Sequence, residues 1–257
     1  MQNATKIVPR NGLDAVLFDM DGVVTRTATV HSAAWKQVFD AFLAERASHG
    51  QPFSPFDPLA EYLLYVDGKP RYDGVSSFLS SRDISLPYGS PDDAPGSETI
   101  CAVGNRKDAV FQQLLQEGGV EVFESTVQLL SGLRQAGLKT GVFSASRHAE
   151  QVLSAANVIS LFDAKVDGLD ADRLGLPGKP DPATLIELAR RLGVHPNRAA
   201  VIEDAVAGVQ AGRAGLFALV IGVNRAGKQG VLLENGADVE VKDLVEVRLE
   251  KNRIVLR

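Results

Sequence analysis

The segment Ala15-Val-Leu-Phe-Asp19-Met-Asp21-Gly22 joins a short apolar run to an abrupt acidic and glycine-containing turn. The apolar part has no helical period, which is typical of a strand buried on both faces of a parallel sheet. Side chains two residues apart in an extended chain project to the same side, so the carboxylates of Asp19 and Asp21 face one pocket. Because Asp-Gly is also a common turn signal, the dipeptide alone leaves a pair of exposed turn aspartates as an equal alternative.

Similar apolar runs recur later in the chain and predict the rest of a sheet. They cover residues 138–144, 199–204 and 217–223, and helical patterns such as 125–136 and 181–192 lie between them. Alternation of strand and helix indicates an α/β fold with a doubly wound parallel sheet, a Rossmann-like core. Residues 239–257 are predicted to form a last strand or a short hairpin.

The region after the first strand departs from this alternation. It contains helical patterns at 30–46, 58–65 and 106–116, with an exposed irregular loop rich in Pro, Gly, Ser and Asp between 80 and 105. The sequence therefore predicts a helical cap domain, residues 29–120, inserted into a catalytic core formed by residues 1–28 and 121–257.

Composition excludes several classes of protein. The chain has 257 residues, 45% of them hydrophobic and 23% charged, which is the balance of a soluble globular protein. A net charge of −5 provides no basic field for nucleic acid or for an anionic membrane. The single cysteine allows no internal disulfide, the first twelve residues lack the apolar run of a secretory signal, and no apolar stretch is long enough to cross a bilayer. We expect a cytoplasmic protein without membrane or nucleic-acid partners.

Polar residues stand at the ends of the other predicted strands. Ser144 and Ser146 could hydrogen-bond a phosphoryl oxygen, and Lys179 in Gly178-Lys-Pro could neutralise it, although such serines are usually turn formers and such lysines are usually solvated. Glu203-Asp204 is more informative, because a carboxylate that ends an apolar strand is costly to desolvate unless it has a partner such as Mg²⁺. The four motifs in this order are more specific than any one of them.

The chain resembles the haloacid dehalogenase-like superfamily of phosphotransferases, and within it the β-phosphoglucomutase-like group. The resemblance covers nearly the whole chain and is carried by Asp19-Met-Asp-Gly-Val-Val-Thr, Phe143-Ser-Ala-Ser, Gly178-Lys-Pro-Asp-Pro and Val201-Ile-Glu-Asp-Ala. It implies Mg²⁺-dependent phosphoryl transfer through an aspartyl-phosphate, either between β-glucose 1-phosphate and glucose 6-phosphate or, in a phosphatase, from a sugar phosphate to water.

The resemblance also assigns roles to residues. Asp19 is the implied nucleophile and Asp21 the general acid/base. The implied phosphate-binding residues are Ser144, Ala145 and Lys179. The implied ligands of Mg²⁺ are Asp19, Glu203, Asp204 and the backbone carbonyl of Asp21.

A further set of residues is implied to bind substrate and set specificity. These are Thr27, His31, Trp35, Arg71, Lys107, Ser146, Arg147 and His148. Trp35 has the alternative of packing in the cap core, and Arg71 and Lys107 that of being solvated surface charges. The Arg147-His148 pair replaces the usual Lys-Asn, so the identity of the sugar stays open. Arg26 replaces a common acidic residue at a position to which no chemical step is assigned.

The expected ligand is a small sugar phosphate, and the sequence does not determine the oligomeric state, with which a monomer is compatible. A remote alternative is a non-catalytic phospho-acceptor, because receiver domains also place acidic residues, a hydroxyl and a lysine at the carboxyl ends of a doubly wound sheet. Such a protein has no need of a second acid two residues after its acceptor.

Overall fold

The computed structural model describes residues 12–225, 229–250 and 253–256. The chain divides into two compact units, one comprising Thr27–Val120 and the other the chain on both sides of it. The division falls two residues before the boundary expected from the sequence.

The discontinuous unit contains a six-stranded sheet in the order β3-β2-β1-β4-β5-β6, with every neighbouring pair parallel. This is the strand order of a doubly wound Rossmann-like sheet, and it confirms the predicted fold class. After β1 the chain adds β2 and β3 on one side of β1, and it then adds β4, β5 and β6 on the other side. The order of the strands therefore reverses between β1 and β4, which is the topological switch point of the sheet. The strands are β1 Ala15–Asp19, β2 Lys139–Phe143, β3 Ala164–Val166, β4 Ala199–Glu203, β5 Leu219–Val223 and β6 Val239–Val241.

Helices connect these strands and cover the sheet. In α7, the buried residues Leu185, Leu188, Ala189 and Leu192 recur at helical spacing and form one apolar stripe. This stripe packs on β2 at Gly141, where a Cβ atom would lie 3.0 Å from Leu192 Cδ1. The helices of this unit are α4 Glu124–Gln135, α5 Ala149–Ala155, α6 Gly168–Leu174, α7 Ala183–Leu192, α8 Val206–Ala214 and α9 Val231–Glu234.

The unit formed by Thr27–Val120 is helical, as predicted, and has an aromatic core of its own. Phe39 lies at its centre, with ring centroids 4.8 Å from Trp35, 4.1 Å from Phe78 and 5.1 Å from Phe56. Its elements are α1 Thr27–Ser48, a π-helical turn at Tyr62–Val66, α2 Arg71–Ser81 and α3 Ile100–Gly118.

Two features of this unit differ from the sequence-based expectation. Helix α2 was not predicted, and α3 begins at Ile100, six residues before the predicted start, because Thr99 Oγ1 caps it by accepting from Ala102 N at 3.0 Å. The irregular loop is therefore shorter than predicted. It is tied to α3 through Asn105, whose Nδ2 donates to Pro91 O and to Asp93 O, each at 2.9 Å.

The C-terminal region contains both elements that the sequence left as alternatives. Strand β6 ends the parallel sheet, and β7 Val247–Glu250 then pairs antiparallel with β8 Arg253–Leu256 as a separate hairpin. Among the described residues, no helix combines the length and apolar character needed to cross a bilayer.

Candidate active site

The predicted catalytic side chains of the α/β unit lie at the carboxyl end of the sheet, at its switch point. Asp19 is the last residue of β1 and is paired in register with Phe143 of β2, the residue before Ser144. On the other side, Phe18 is paired with Ile202 of β4, the residue before Glu203. The parallel register therefore places the ends of three strands side by side, where ligands of such sheets bind.

Lys179 joins two of these strand ends. Its Nζ donates to Asp19 Oδ1 at 2.6 Å and to Glu203 Oε2 at 3.0 Å, and it lies 4.9 Å from the centroid of the Phe143 ring. The side chains of Lys179, Asp19 and Glu203 are 4%, 5% and 0% exposed, so this ion cluster is shielded from solvent. The alternative of a solvated loop lysine is therefore wrong for Lys179.

The cluster contains more negative than positive charge. Burial and the neighbouring charge of Glu203 raise the pKa of Asp19 well above its usual value, although Lys179 acts in the opposite direction. Burial alone would lower the pKa of Lys179, but the charges of Asp19 and Glu203 outweigh it and raise that pKa above the ordinary lysine value. One ammonium group thus faces several carboxylates.

A divalent cation fits this donor set. Carboxylate oxygens of Asp19, Glu203 and Asp204 all lie within 4.8 Å of one another. Hard oxygen donors of this kind are the ones that Mg²⁺ prefers, and a divalent charge would offset the repulsion among them. The residues are thus compatible with the predicted magnesium site, while the predicted role of the Asp21 carbonyl stays a prediction.

Asp21 lies against the end of β2. Ser144 Oγ donates to Asp21 Oδ2 at 3.0 Å and accepts from Ser146 N at the same distance. The Ser144 hydroxyl therefore links the Asp21 side chain to the loop after β2. A role in forming the turn, the alternative that the sequence left open for Ser144, does not account for the bond to Asp21.

Two glycines make room for the acidic residues. A Cβ atom on Gly22, which has φ of 91°, would lie 1.8 Å from Asp204 Oδ2. A Cβ atom on Gly208 would lie 2.1 Å from Glu203 Oε2. Only glycine therefore fits at position 208, because the space of a side chain is taken by the Glu203 carboxylate.

The loop Ala145-Ser146-Arg147-His148 packs on the start of α6. Ala145 was predicted to bind phosphate, and the other three residues belong to the predicted specificity set. Gly168 N donates to Ser146 O at 3.0 Å, and a Cβ atom on Gly168 would lie 2.7 Å from Ala145 O. Arg147 Nε pairs with Asp172 Oδ2 at 3.2 Å, and both side chains are largely exposed. Sequence reasoning missed Gly168, because its close approach to this loop arises only from tertiary packing.

Within the helical unit, His31 and Lys107 form a pair on the predicted cap helices. Lys107 Nζ lies 2.6 Å from His31 Nδ1, and the His31 ring stacks on Phe111 with centroids 4.0 Å apart. Because an ammonium group only donates, His31 Nδ1 is the acceptor when Lys107 is charged. Lys107 is 5% exposed, so its alternative as a solvated charge is wrong.

Arg71, at the start of α2, is held in an ion pair that the sequence did not reveal. Its Nη1 lies 2.9 Å from Asp108 Oδ1, and the two side chains are 16% and 23% exposed. Its Cζ lies 5.4 Å from the ring of Tyr72, which donates to Asn105 Oδ1. Arg71 is therefore not a freely solvated charge either.

The side chains of Trp35 and Thr27, two residues of the predicted specificity set, are almost completely buried. Trp35 is 3% exposed and stacks on Phe39, so the structure favours its packing alternative. Thr27 is the first residue of α1 and is 1% exposed. Their predicted roles in substrate binding gain no support from this burial.

Comparison with known proteins identifies the family of the chain. A family model described as haloacid dehalogenase-like hydrolase matches residues 13–215. A beta-phosphoglucomutase of Mycobacterium tuberculosis is 48% identical over 237 residues, covering 91% of this chain and 90% of that protein. One of Bacillus subtilis is 32% identical over 240 residues, covering 93% of each. The crystal structure of a beta-phosphoglucomutase from Clostridium difficile shares the fold, with a TM-score of 0.71 and 22% identity over 92% of this chain and 94% of that one. The resemblance read from the four motifs is thereby confirmed, and the chain belongs to the haloacid dehalogenase-like hydrolase family.

Proposed function

We propose that this protein is a Mg²⁺-dependent phosphotransferase that converts β-glucose 1-phosphate to glucose 6-phosphate through a bisphosphate and an aspartyl-phosphate on Asp19. The observation that carries the proposal is the buried cluster in which Lys179 bridges Asp19 and Glu203 beside Asp204. The close similarity to beta-phosphoglucomutases over nearly the full length of both chains supports the choice of reaction. It also argues against a non-catalytic phospho-acceptor.

Asp19 is suited to act as the nucleophile. The hydrogen bond from Lys179 orients its carboxylate, and the ammonium charge offsets the repulsion between that carboxylate and an incoming phosphoryl group. A bound Mg²⁺, held by Asp19, Glu203 and Asp204, would add positive charge next to the phosphoryl oxygens. We propose that the Ser144 hydroxyl and the Ala145 backbone bind those oxygens.

Asp21 is suited to move the proton. It lies two residues beyond Asp19 and accepts a hydrogen bond from Ser144 Oγ. We propose that it protonates the leaving sugar oxygen when Asp19 is phosphorylated and then deprotonates the hydroxyl that accepts the phosphoryl group.

A sugar-phosphate phosphatase is the alternative, because the first half-reaction is common to both enzymes and only the acceptor differs. Arg147-His148, where related mutases usually carry Lys-Asn, motivates this alternative, since the Arg147 charge is already paired with Asp172. Incubation with β-glucose 1-phosphate, Mg²⁺ and a trace of the bisphosphate separates the two. Glucose 6-phosphate is expected, and release of free phosphate without it would contradict the mutase proposal.

Magnesium is expected to stabilise the folded protein through the acidic cluster. At a concentration about 100 times its Kd, a ligand specific to the folded state adds about 2.7 kcal/mol, or about 5–10 °C in Tm for a chain of this size. Thermal unfolding with EDTA and with excess Mg²⁺ measures the shift. Asp204→Asn should remove most of it, whereas Asp172→Asn, which changes an acidic residue outside the cluster, should retain it. An equal shift in both variants would contradict the assigned ligands.

Arg71 is expected to bind the phosphate group of β-glucose 1-phosphate while a hydroxyl of the sugar accepts the phosphoryl group from Asp19. Loss of a charge-assisted hydrogen bond costs about 1.5–3 kcal/mol, so Arg71→Met should raise KM for β-glucose 1-phosphate by about 10- to 100-fold. For p-nitrophenyl phosphate, which lacks the sugar, KM should change little. Lys36→Met is the matched control, because Lys36 is a cation of the same helical unit in an exposed pair with Asp40. Equal KM changes for both esters would count against this role.

A further inference from the structure

The loop after Asp21 is held by hydrogen bonds to three successive backbone carbonyls. Gly22 O accepts from Arg225 Nε at 3.2 Å, Val23 O from Thr126 Oγ1 at 2.6 Å, and Val24 O from Phe123 N at 3.0 Å. Two of the donors belong to the segment where α4 begins. The third donor, Arg225, comes from a different part of the chain, two residues after β5.

Arg225 is itself fixed on two sides. Its Cζ lies 3.6 Å from the centroid of the Phe123 ring, and its Nη1 donates to Asp243 Oδ2. Asp243 Oδ1 in turn accepts from Val245 N at 2.9 Å. A planar guanidinium that stacks on a ring and pairs with a carboxylate has little freedom left, so its Nε holds the Gly22 carbonyl in one orientation.

The backbone conformation of Gly22 affects two acidic residues, Asp21 and Asp204. Gly22 directly follows Asp21, and its Cα packs so closely on the Asp204 carboxylate that no side chain fits there. The carbonyl that Arg225 holds belongs to the peptide between Gly22 and Val23, so releasing it frees the backbone angles of Gly22, through which Asp21 is placed relative to Asp204.

We propose that Arg225 is a positioning residue for the acid/base step, acting through the Gly22 carbonyl on the placement of Asp21. The inference rests on the proposed acid/base role of Asp21. Arg225 is not assigned a contact with substrate, so its loss should affect proton transfer much more than substrate binding or nucleophilic attack.

The test compares two esters in pre-steady-state measurements of the first step with Arg225→Met and Arg225→Lys. Misplacement of a catalytic group by about 1 Å costs about 10²-fold, so Arg225→Met should slow phosphoryl transfer from the sugar bisphosphate to Asp19 by about that factor with little change in KM. Transfer from p-nitrophenyl phosphate, whose leaving group needs little protonation, should fall by less than about 10-fold. Arg225→Lys, which keeps the charge but not the planar fork, should show the same selectivity with a smaller loss.

Arg26 provides the matched control. Its Cζ lies 4.3 Å from the same Phe123 ring, it pairs with Glu121 at 3.6 Å, and its side chain is 53% exposed. Arg26→Met removes one of the two guanidinium groups that lie over the Phe123 ring and leaves Arg225 in place. This variant should retain the wild-type rates on both esters.

A double-mutant cycle distinguishes failure of this inference from failure of the proposed function. With Asp21 already replaced by asparagine, Arg225→Met should cost only about 2-fold more, because the two changes remove the same step. A full loss in that background, or equal losses on both esters for Arg225→Met, overturns the positioning role. If Asp21→Asn itself shows no dependence on the leaving group, the acid/base proposal fails instead. Should Arg225→Met not fold, Arg225→Lys is judged by the same criteria.

Discussion

Replacement of Asp19 by asparagine is expected to abolish turnover of phosphate esters, with a loss of about 10⁴-fold or more. The amide lacks the negative charge and the nucleophilicity of the carboxylate, so no acyl phosphate can form. Since the change is nearly isosteric, the fold should survive. Steady-state assays with β-glucose 1-phosphate, together with rapid-quench trapping of labelled phosphate on the protein, measure both consequences.

The same substitution should leave the metal-free protein as stable as the wild type or more stable. The raised pKa of Asp19 means that its ionised form is disfavoured in the folded state, and asparagine removes that cost at neutral pH. Asp14→Asn is the matched control, because Asp14 stands at the opposite end of β1 in a partly exposed pair with Arg198. It should keep full activity. Comparable turnover by Asp19→Asn, or a labelled protein in that variant, would contradict the nucleophile assignment.

The residues of the carboxylate cluster could be predicted because strand ends are visible in the sequence. Asp19 and Glu203 each end an apolar run, and in a parallel sheet such ends meet at one edge. The contacts of Lys179 could not be derived in this way. Its loop is irregular, and only the folded chain shows that one ammonium group joins both carboxylates.

Helix α2 was missed because its sequence has weak helical propensity. Gly74 lies inside it, and glycine in a helix costs about 1 kcal/mol relative to alanine. The structure shows why a small residue stands there, since a Cβ atom on Gly74 would lie 3.4 Å from both Trp35 and Val66. Packing within the unit outweighs the local preference.

Arg225 and Asp108 illustrate the limit of motif reasoning. Neither belongs to a family motif, and a lone arginine after a strand or a lone aspartate on a helix is usually solvated. Their importance arises from partners far away in the sequence, Gly22 for Arg225 and Arg71 for Asp108. Such pairings can be identified only in the folded structure, where segments that are distant in the sequence lie side by side.

Replacement of Asp21 by asparagine is expected to separate acid/base chemistry from phosphoryl binding. The amide oxygen of the new side chain could still accept the hydrogen bond from Ser144, so the loop should keep its geometry. An amide cannot deliver a proton to the sugar oxygen, and transfer from the sugar bisphosphate to Asp19 should fall by about 10²- to 10⁴-fold, the usual contribution of a positioned acid/base. The nucleophile and its partner Lys179 are unchanged.

The dependence on the leaving group provides the decisive measurement. p-Nitrophenolate leaves with little need of protonation, so the first step with p-nitrophenyl phosphate should slow much less than that with the sugar phosphate. With no base to activate the second acceptor, the aspartyl-phosphate should accumulate and be trapped in rapid-quench experiments. Ser144→Ala is a useful companion, because it removes a hydroxyl proposed both to bind the phosphoryl group and to orient Asp21. It should slow transfer from both esters, with a smaller dependence on the leaving group than Asp21→Asn. Equal losses of Asp21→Asn on both esters, without accumulation of the phosphorylated protein, would remove Asp21 from the general-acid role.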